Sequence, residues 1–66
     1  MDDKSVLLIC DSTIRRFNLS TEQIMWRYEH DGLLADAVYD GHGNIICTDR
    51  RGGLITLDVT SGKFMI

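Results

Sequence analysis

Two histidines, two cysteines, one tryptophan and a scatter of aspartates are the side chains of this sequence best equipped for chemistry. His30 and His42 fall in turn-like segments with Asp31, Asp40 and Asp49, and imidazole with carboxylate is a donor set for a divalent metal. Metal sites, however, space their ligands as Cys-x-x-Cys or His-x-x-x-His, and neither pattern occurs. Aspartate beside glycine is explained by turn chemistry alone. Cys10 and Cys47 are the possible nucleophiles, yet a reactive thiolate needs a neighbouring base or cation, and none is identifiable beside either. Both are read as free thiols packed within strands as small apolar side chains. Gly41-His42-Gly43 and Gly52-Gly53 are too short to cradle a phosphate and read as hairpin turns, and neither a nucleophile elbow nor a pair of catalytic carboxylates is present. No catalytic, cofactor-binding or metal-binding residue is assigned, no cofactor is expected, and enzyme activity is not anticipated.

The elements that would position these groups are short. Apolar residues come in brief clusters between turn signals, and no long window keeps a helical period. Strands are expected over 6–10, 13–19, 24–28, 34–39, 44–48, 54–59 and 64–66. Ile14 is out of phase with Phe17 and Leu19, which a bulge or a late turn would explain. The Leu-Leu-Ala-Asp-Ala run at 33–37 is helix-friendly, but the glycine-rich turn and strand after it favour a hairpin.

With 66 residues there is room for one small domain, 1–66, with a marginal core. A composition 44% hydrophobic and 26% charged belongs to a folded chain. Ten acidic against seven basic residues, net −3, argue against nucleic acid as a partner. No apolar run is long enough to span a bilayer, so no membrane partner is expected. The start Met1-Asp2-Asp3-Lys4 lacks a basic n-region and an apolar h-region, and as written the chain is expected in the cytoplasm.

Sliding the sequence by 40 residues lays Ile14 on Leu54, Phe17 on Leu57, Leu19 on Val59, Ile24 on Phe64, Met25 on Met65 and Trp26 on Ile66. Asn18/Asp58, Ser20/Thr60 and Thr21/Ser61 are like-for-like exchanges in the same frame. With three residues added to the second turn, Leu8-Ile9-Cys10 falls on Ile45-Ile46-Cys47. A strand-only repeat near this length is the mark of β-propeller blades, each a four-stranded antiparallel sheet. The fold expected is all-β, with about one and three-quarter blades. Residues 6–28 would supply three strands of one blade, lacking its innermost, and 34–66 the four strands of the next.

The segment Gly53-Leu54-Ile55-Thr56-Leu57-Asp58-Val59-Thr60-Ser61-Gly62-Lys63 resembles the repeat of pyrroloquinoline-quinone-like propellers: a strand ending in Asp, a Thr-Gly-Lys turn, and a strand closed by Trp. Trp26 holds the closing position in the first copy and Ile66 in the second, while Glu22-Gln23 replaces Gly62-Lys63 in the first. WD repeats are similar over the same span, with Asp49 at a turn and Asp58 where their Trp-Asp pair falls. The resemblance implies that Trp26, Phe17, Leu57 and Gly62 dock blade against blade. It also implies quinone-dependent dehydrogenases as one alternative and WD-type adaptors as another, although no residue here carries over to a quinone or calcium site. The basic pairs Arg15-Arg16 and Arg50-Arg51 read as solvated faces and edge protection. Asp36, on the opposite face from Ala35 and Ala37, joins Arg50 and Arg51 as a candidate axial or partner contact. The expected function is a non-catalytic scaffold or protein-interaction module presenting the loops 31–32, 40–43 and 49–53. Bare blade faces require completion, so the expected partners are copies of the chain or other blades of a longer parent.

Overall fold

The computed structural model describes residues 4–66. The acidic start Met1-Asp2-Asp3, read above for its lack of a leader signature, lies outside the described residues. Six strands form: β1 (Ser5–Cys10), β2 (Thr13–Asn18), β3 (Gln23–Glu29), β4 (Leu34–Tyr39), β5 (Asn44–Asp49) and β6 (Leu54–Asp58). They build two antiparallel three-stranded sheets, ordered β1-β2-β3 and β4-β5-β6, and no helix occurs among the described residues. The helix-friendly run at 33–37 enters β4, because pairing with β5 and burial of Leu34 outweigh a weak intrinsic preference.

Alternation along each strand sorts side chains onto two faces. The rows Leu7↔Arg16↔Trp26 and Ile9↔Ile14↔Tyr28 share one face of the first sheet. In the second sheet Ala37↔Cys47↔Ile55 and Tyr39↔Ile45↔Leu57 do the same. These two faces supply a single core of Ile14, Trp26, Leu34, Ile45, Cys47, Leu57 and Val59, flanked by Leu7, Tyr28, Ala37, Tyr39 and Ile55. Ile14, Ile45, Cys47 and Leu57 are completely excluded from solvent, and each aliphatic side chain buried in this way stabilises by about 1.5–3 kcal/mol.

The repeat seen in the sequence is also a repeat of hydrogen bonding. The pair Phe17↔Ile24 recurs 40 residues on as the bridge Leu57↔Phe64. Met25 bulges from β3 between the pairs Arg16↔Trp26 and Phe17↔Ile24. At the matching place Met65 N donates to Thr56 O and Thr56 N donates to Ile66 O. Leu19 N to Lys4 O and Val59 N to Gly43 O are likewise one bond in two copies. The turns correspond too: Glu22 (φ 58°) and Gly62 (φ 74°) are both left-handed.

Several expectations are corrected by these pairings. The strand expected over 64–66 is a single bridge rather than a seventh strand, since so few residues reach only β6 and leave Phe64, Met65 and Ile66 exposed. No bulge lies in β2 against β1: Ile14 and Phe17 face opposite sides of a regular strand, and both sides are apolar. The bulge is in β3, where it lets Trp26 face inward while Ile24 faces outward beside Phe17. The matched bonds Leu19–Lys4 and Val59–Gly43 also fix the correspondence of β1 with β5. Leu8, not Cys10, is the counterpart of Cys47, and Cys10 corresponds to Asp49. The second turn is longer by one residue rather than three, because Cys10↔Thr13 encloses Asp11-Ser12 whereas Asp49 N bonds Gly53 O across 50–52.

Gly62 is the position least tolerant of a side chain. Besides its left-handed φ, a Cβ there would fall inside the indole of Trp26, whereas Gly41 (φ 82°) has open space around it. Gly62→Ala should therefore cost about 2–4 kcal/mol, combining backbone strain with overpacking, against about 1 kcal/mol for Gly41→Ala. Urea unfolding of both variants at one protein concentration measures the difference, and equal losses would contradict it.

Candidate functional site

Of the four residues expected to dock blade against blade, Trp26, Leu57 and Gly62 lie between the two sheets. Trp26 comes from β3, where the bulge turns it inward, and its ring lies over Gly62. Its Nε1 donates to the carbonyl of Val59 at 2.7 Å. Leu57 is buried in the same core. Phe17 does not join them: it points to the outer face of the first sheet and is only half-buried.

Arg16 completes the seam, contrary to the reading of Arg15-Arg16 as a solvated pair. It is buried, and its guanidinium donates to Val59 O at 2.9 Å, so one carbonyl receives both Arg16 and Trp26. The signal available in the sequence was its phase, since Arg16 lies two residues from Ile14 and must share its face. Arg15, on the alternate face, is half-buried.

A second cluster joins turns that are distant in sequence. His30 Nε2 lies 3.0 Å from Asp49 Oδ2, and the Tyr28 hydroxyl lies 3.4 Å from His30 Nδ1. Sequence spacing gave no hint of this pairing, because the residues meet only when the connection after β3 folds onto the turn after β5. Although the order hydroxyl, imidazole, carboxylate superficially matches a catalytic relay, the connections assign it a tying role. Asp49 Oδ1 accepts the N–H groups of Arg51 (3.0 Å) and Gly53 (2.6 Å), so the carboxylate shapes its own turn while holding His30. Backbone bonds from His30 N to Ser12 O and from Arg50 N to Leu33 O join the same loops. Burial raises the Tyr28 pKa, and the Cys47 charge adds to the rise, which opposes use of the phenol as a nucleophile. Among the described residues there is neither a pocket nor a group of three or more His, Cys, Asp and Glu able to hold a metal.

The loops expected to act together lie at two ends of the sheets. Residues 31–32 and 50–53 share one end, with Arg50 and Arg51 exposed there. The antiparallel meander sends 40–43 to the other end, where Asp40 accepts N–H groups from His42 and Asn44. Asp36 is exposed on the edge strand β4, with its carboxylate accepting from Ala37 N at 2.8 Å. A bulge leaves Ala35 unpaired beside it. The cysteines also separate: Cys47 is buried as expected of both, whereas Cys10 is exposed because it lies on the outer face of an edge strand.

No protein-family model and no curated protein matches this chain. No helix among the described residues is long and apolar enough to cross a membrane.

Burial pushes the Cys47 thiol up to about 11. At pH 8 a disulfide reagent should label the exposed Cys10 readily and Cys47 at least about tenfold more slowly, since the thiolate is the reacting form and burial withholds it at Cys47. Equal rates in the folded chain would contradict the burial of Cys47. Three carboxylates have lowered pKa values: Asp49 through the His30 hydrogen bond and the Gly53 N–H, Asp40 chiefly through His42 N–H, and Asp58 through the Ser61 hydroxyl and N–H. Their contribution to stability is therefore present above the unfolded value of about 4 and is lost as pH falls through the lowered folded values. The urea midpoint should drop between pH 5 and pH 2, and Asp49→Asn should flatten that drop. An acid limb unaltered by the substitution would show that Asp49 carries none of it.

Proposed function

We propose that this chain is a non-catalytic β-propeller repeat segment, a scaffold that works through its sheet faces and is completed by further sheets of the same kind. The observation that carries this reading is the repeat itself. The thirteen residues from Ile14 superpose without a gap on those from Leu54, six pairs apolar in both copies and three like-for-like polar, with the same cross-strand pair, matching hydrogen bonds at Met25 and Met65 and a left-handed residue at the same turn position. The resemblance to quinone-type propeller repeats supplies the blade interpretation, and the Trp26–Gly62 contact between the two sheets is of the docking kind it implies. Exposed apolar residues remain on both outer faces, Leu8 and Leu19 on one and Val38 and Leu54 on the other, which is consistent with a unit that needs neighbours.

A WD-type adaptor is the second reading, favoured by the use of Asp49 as a turn-organising residue tied to His30. Both readings place function in protein contacts. The quinone-dependent dehydrogenase alternative has no residue in this chain to support it, and a dye-linked dehydrogenase assay on the loaded protein tests it directly.

Light scattering and circular dichroism on one sample of the purified chain test the scaffold reading. The expected result is β signal at a mass that is a multiple of one chain, or an unfolded chain that becomes ordered only when adjoining sheets are supplied. A cooperatively folded monomer at about 0.1 mM would overturn the reading, because the apolar residues on the two outer faces would then need no covering partner.

A further inference from the structure

The interface inside the chain specifies what its two outer faces can bind. Within the chain, the inner face of the first sheet (Leu7, Ile14, Arg16, Trp26) packs on the inner face of the second (Ile45, Cys47, Ile55, Leu57, Val59). Matched hydrogen bonds relate β2 and β3 to β6 and the terminal bridge by 40 residues, and β1 to β5 by 39. Applied to the buried contact, these offsets land on exposed surface at both ends. Ile14 and Trp26 become Leu54 and Ile66 on the outer face of the second sheet, 65% and 80% exposed. In the other direction Cys47, Leu57 and Val59 become Leu8, Phe17 and Leu19 on the outer face of the first sheet, with Leu8 43% and Leu19 53% exposed. One outer face thus has the character of an inserting surface and the other that of a receiving surface.

From this geometry we infer that the outer face of the second sheet docks on the outer face of the first sheet of another copy of this chain, head to tail, in the register of the internal interface. The inference rests on the repeat-scaffold reading above and adds the partner and its orientation. Two compensating differences support a second copy as the occupant. Trp26 requires the bare backbone of Gly62 beneath it. In the intermolecular contact the receiving residue is Glu22, which brings a Cβ in the same left-handed conformation, and the inserting residue is Ile66, which is smaller than tryptophan. Likewise Arg16 and Trp26 both donate to Val59 O, whereas Leu19 O would meet Thr56, whose hydroxyl is a donor. The receiving face carries Arg15 and an Arg27–Glu29 ion pair, and the inserting face carries Asp36 and Asp58. The contact is heterologous, so it continues from copy to copy until the rotation closes a ring.

The test uses two full-length variants, each with a charge on one outer face: Leu54→Lys on the inserting face and Leu8→Lys on the receiving face. Both residues are exposed in the single chain, so circular dichroism should report a β signal at assembly concentrations or its return on mixing. By light scattering the unaltered chain should form a multimer, and each variant alone should associate at least about 30-fold more weakly. An equimolar mixture of the two should form a complex of two chains and no larger, since one intact pair of faces survives. If the unaltered chain assembles but either variant still self-associates at full strength, contact between like faces is in use. Head-to-tail docking is then overturned while the scaffold reading stands. A cooperatively folded monomer overturns both. A chain that stays unfolded at every concentration overturns a second copy as the occupant and leaves the scaffold reading to adjoining repeats of a longer polypeptide.

Discussion

The contact of Trp26 with Gly62, closed by the hydrogen bond from the indole to Val59 O, is the constraint on which the arrangement of the two sheets depends. An apolar sheet face must be buried against another element, and the inner faces of the two three-stranded sheets here share one core. The indole can lie flat on the second sheet only because position 62 has no side chain and a backbone few other residues adopt. Val59 O lies in the same seam and would be costly to bury unpaired, so the two donors from Trp26 and Arg16 fix the relative position of the sheets as well as filling space.

That seam depends in turn on a local irregularity. Without the bulge at Met25, Ile24 and Trp26 would share a face, and β3 could not set Ile24 outward beside Phe17 while turning Trp26 inward. The matching hydrogen bonds at Met65 repeat the feature in the second sheet, and both sheets carry apolar side chains on their outer faces as well as in the shared core. At one end of the sheets, Asp49 joins the loop after β3 to the turn after β5 through His30, so loop geometry follows from sheet packing.

Much of the architecture was legible in the residues. Short apolar clusters between Asp, Gly and Ser turns announced strands, and the superposition of Ile14 to Trp26 on Leu54 to Ile66 announced two related sheets. The alignment of the cysteines misled, because two like residues in similar strands can be superposed by inserting residues in a turn, and only cross-strand bonds establish the true offset. Arg16 was overlooked because a charged residue is usually solvated, and its burial depends on a carbonyl 43 residues away. The His30–Asp49 pair had no local signature at all.

The sequence by itself determined the all-β character, the turn positions and the 40-residue repeat, since these follow from side-chain alternation and the backbone preferences of neighbouring residues. Tertiary structure alone decided that Cys47 is enclosed while Cys10 is exposed, that Arg16 serves the core, and that loops 31–32 and 40–43 lie at opposite ends. The physical reason is the same in each case. Burial and long-range hydrogen bonds are properties of the face a residue meets, and that face comes from a part of the chain to which local sequence gives no pointer.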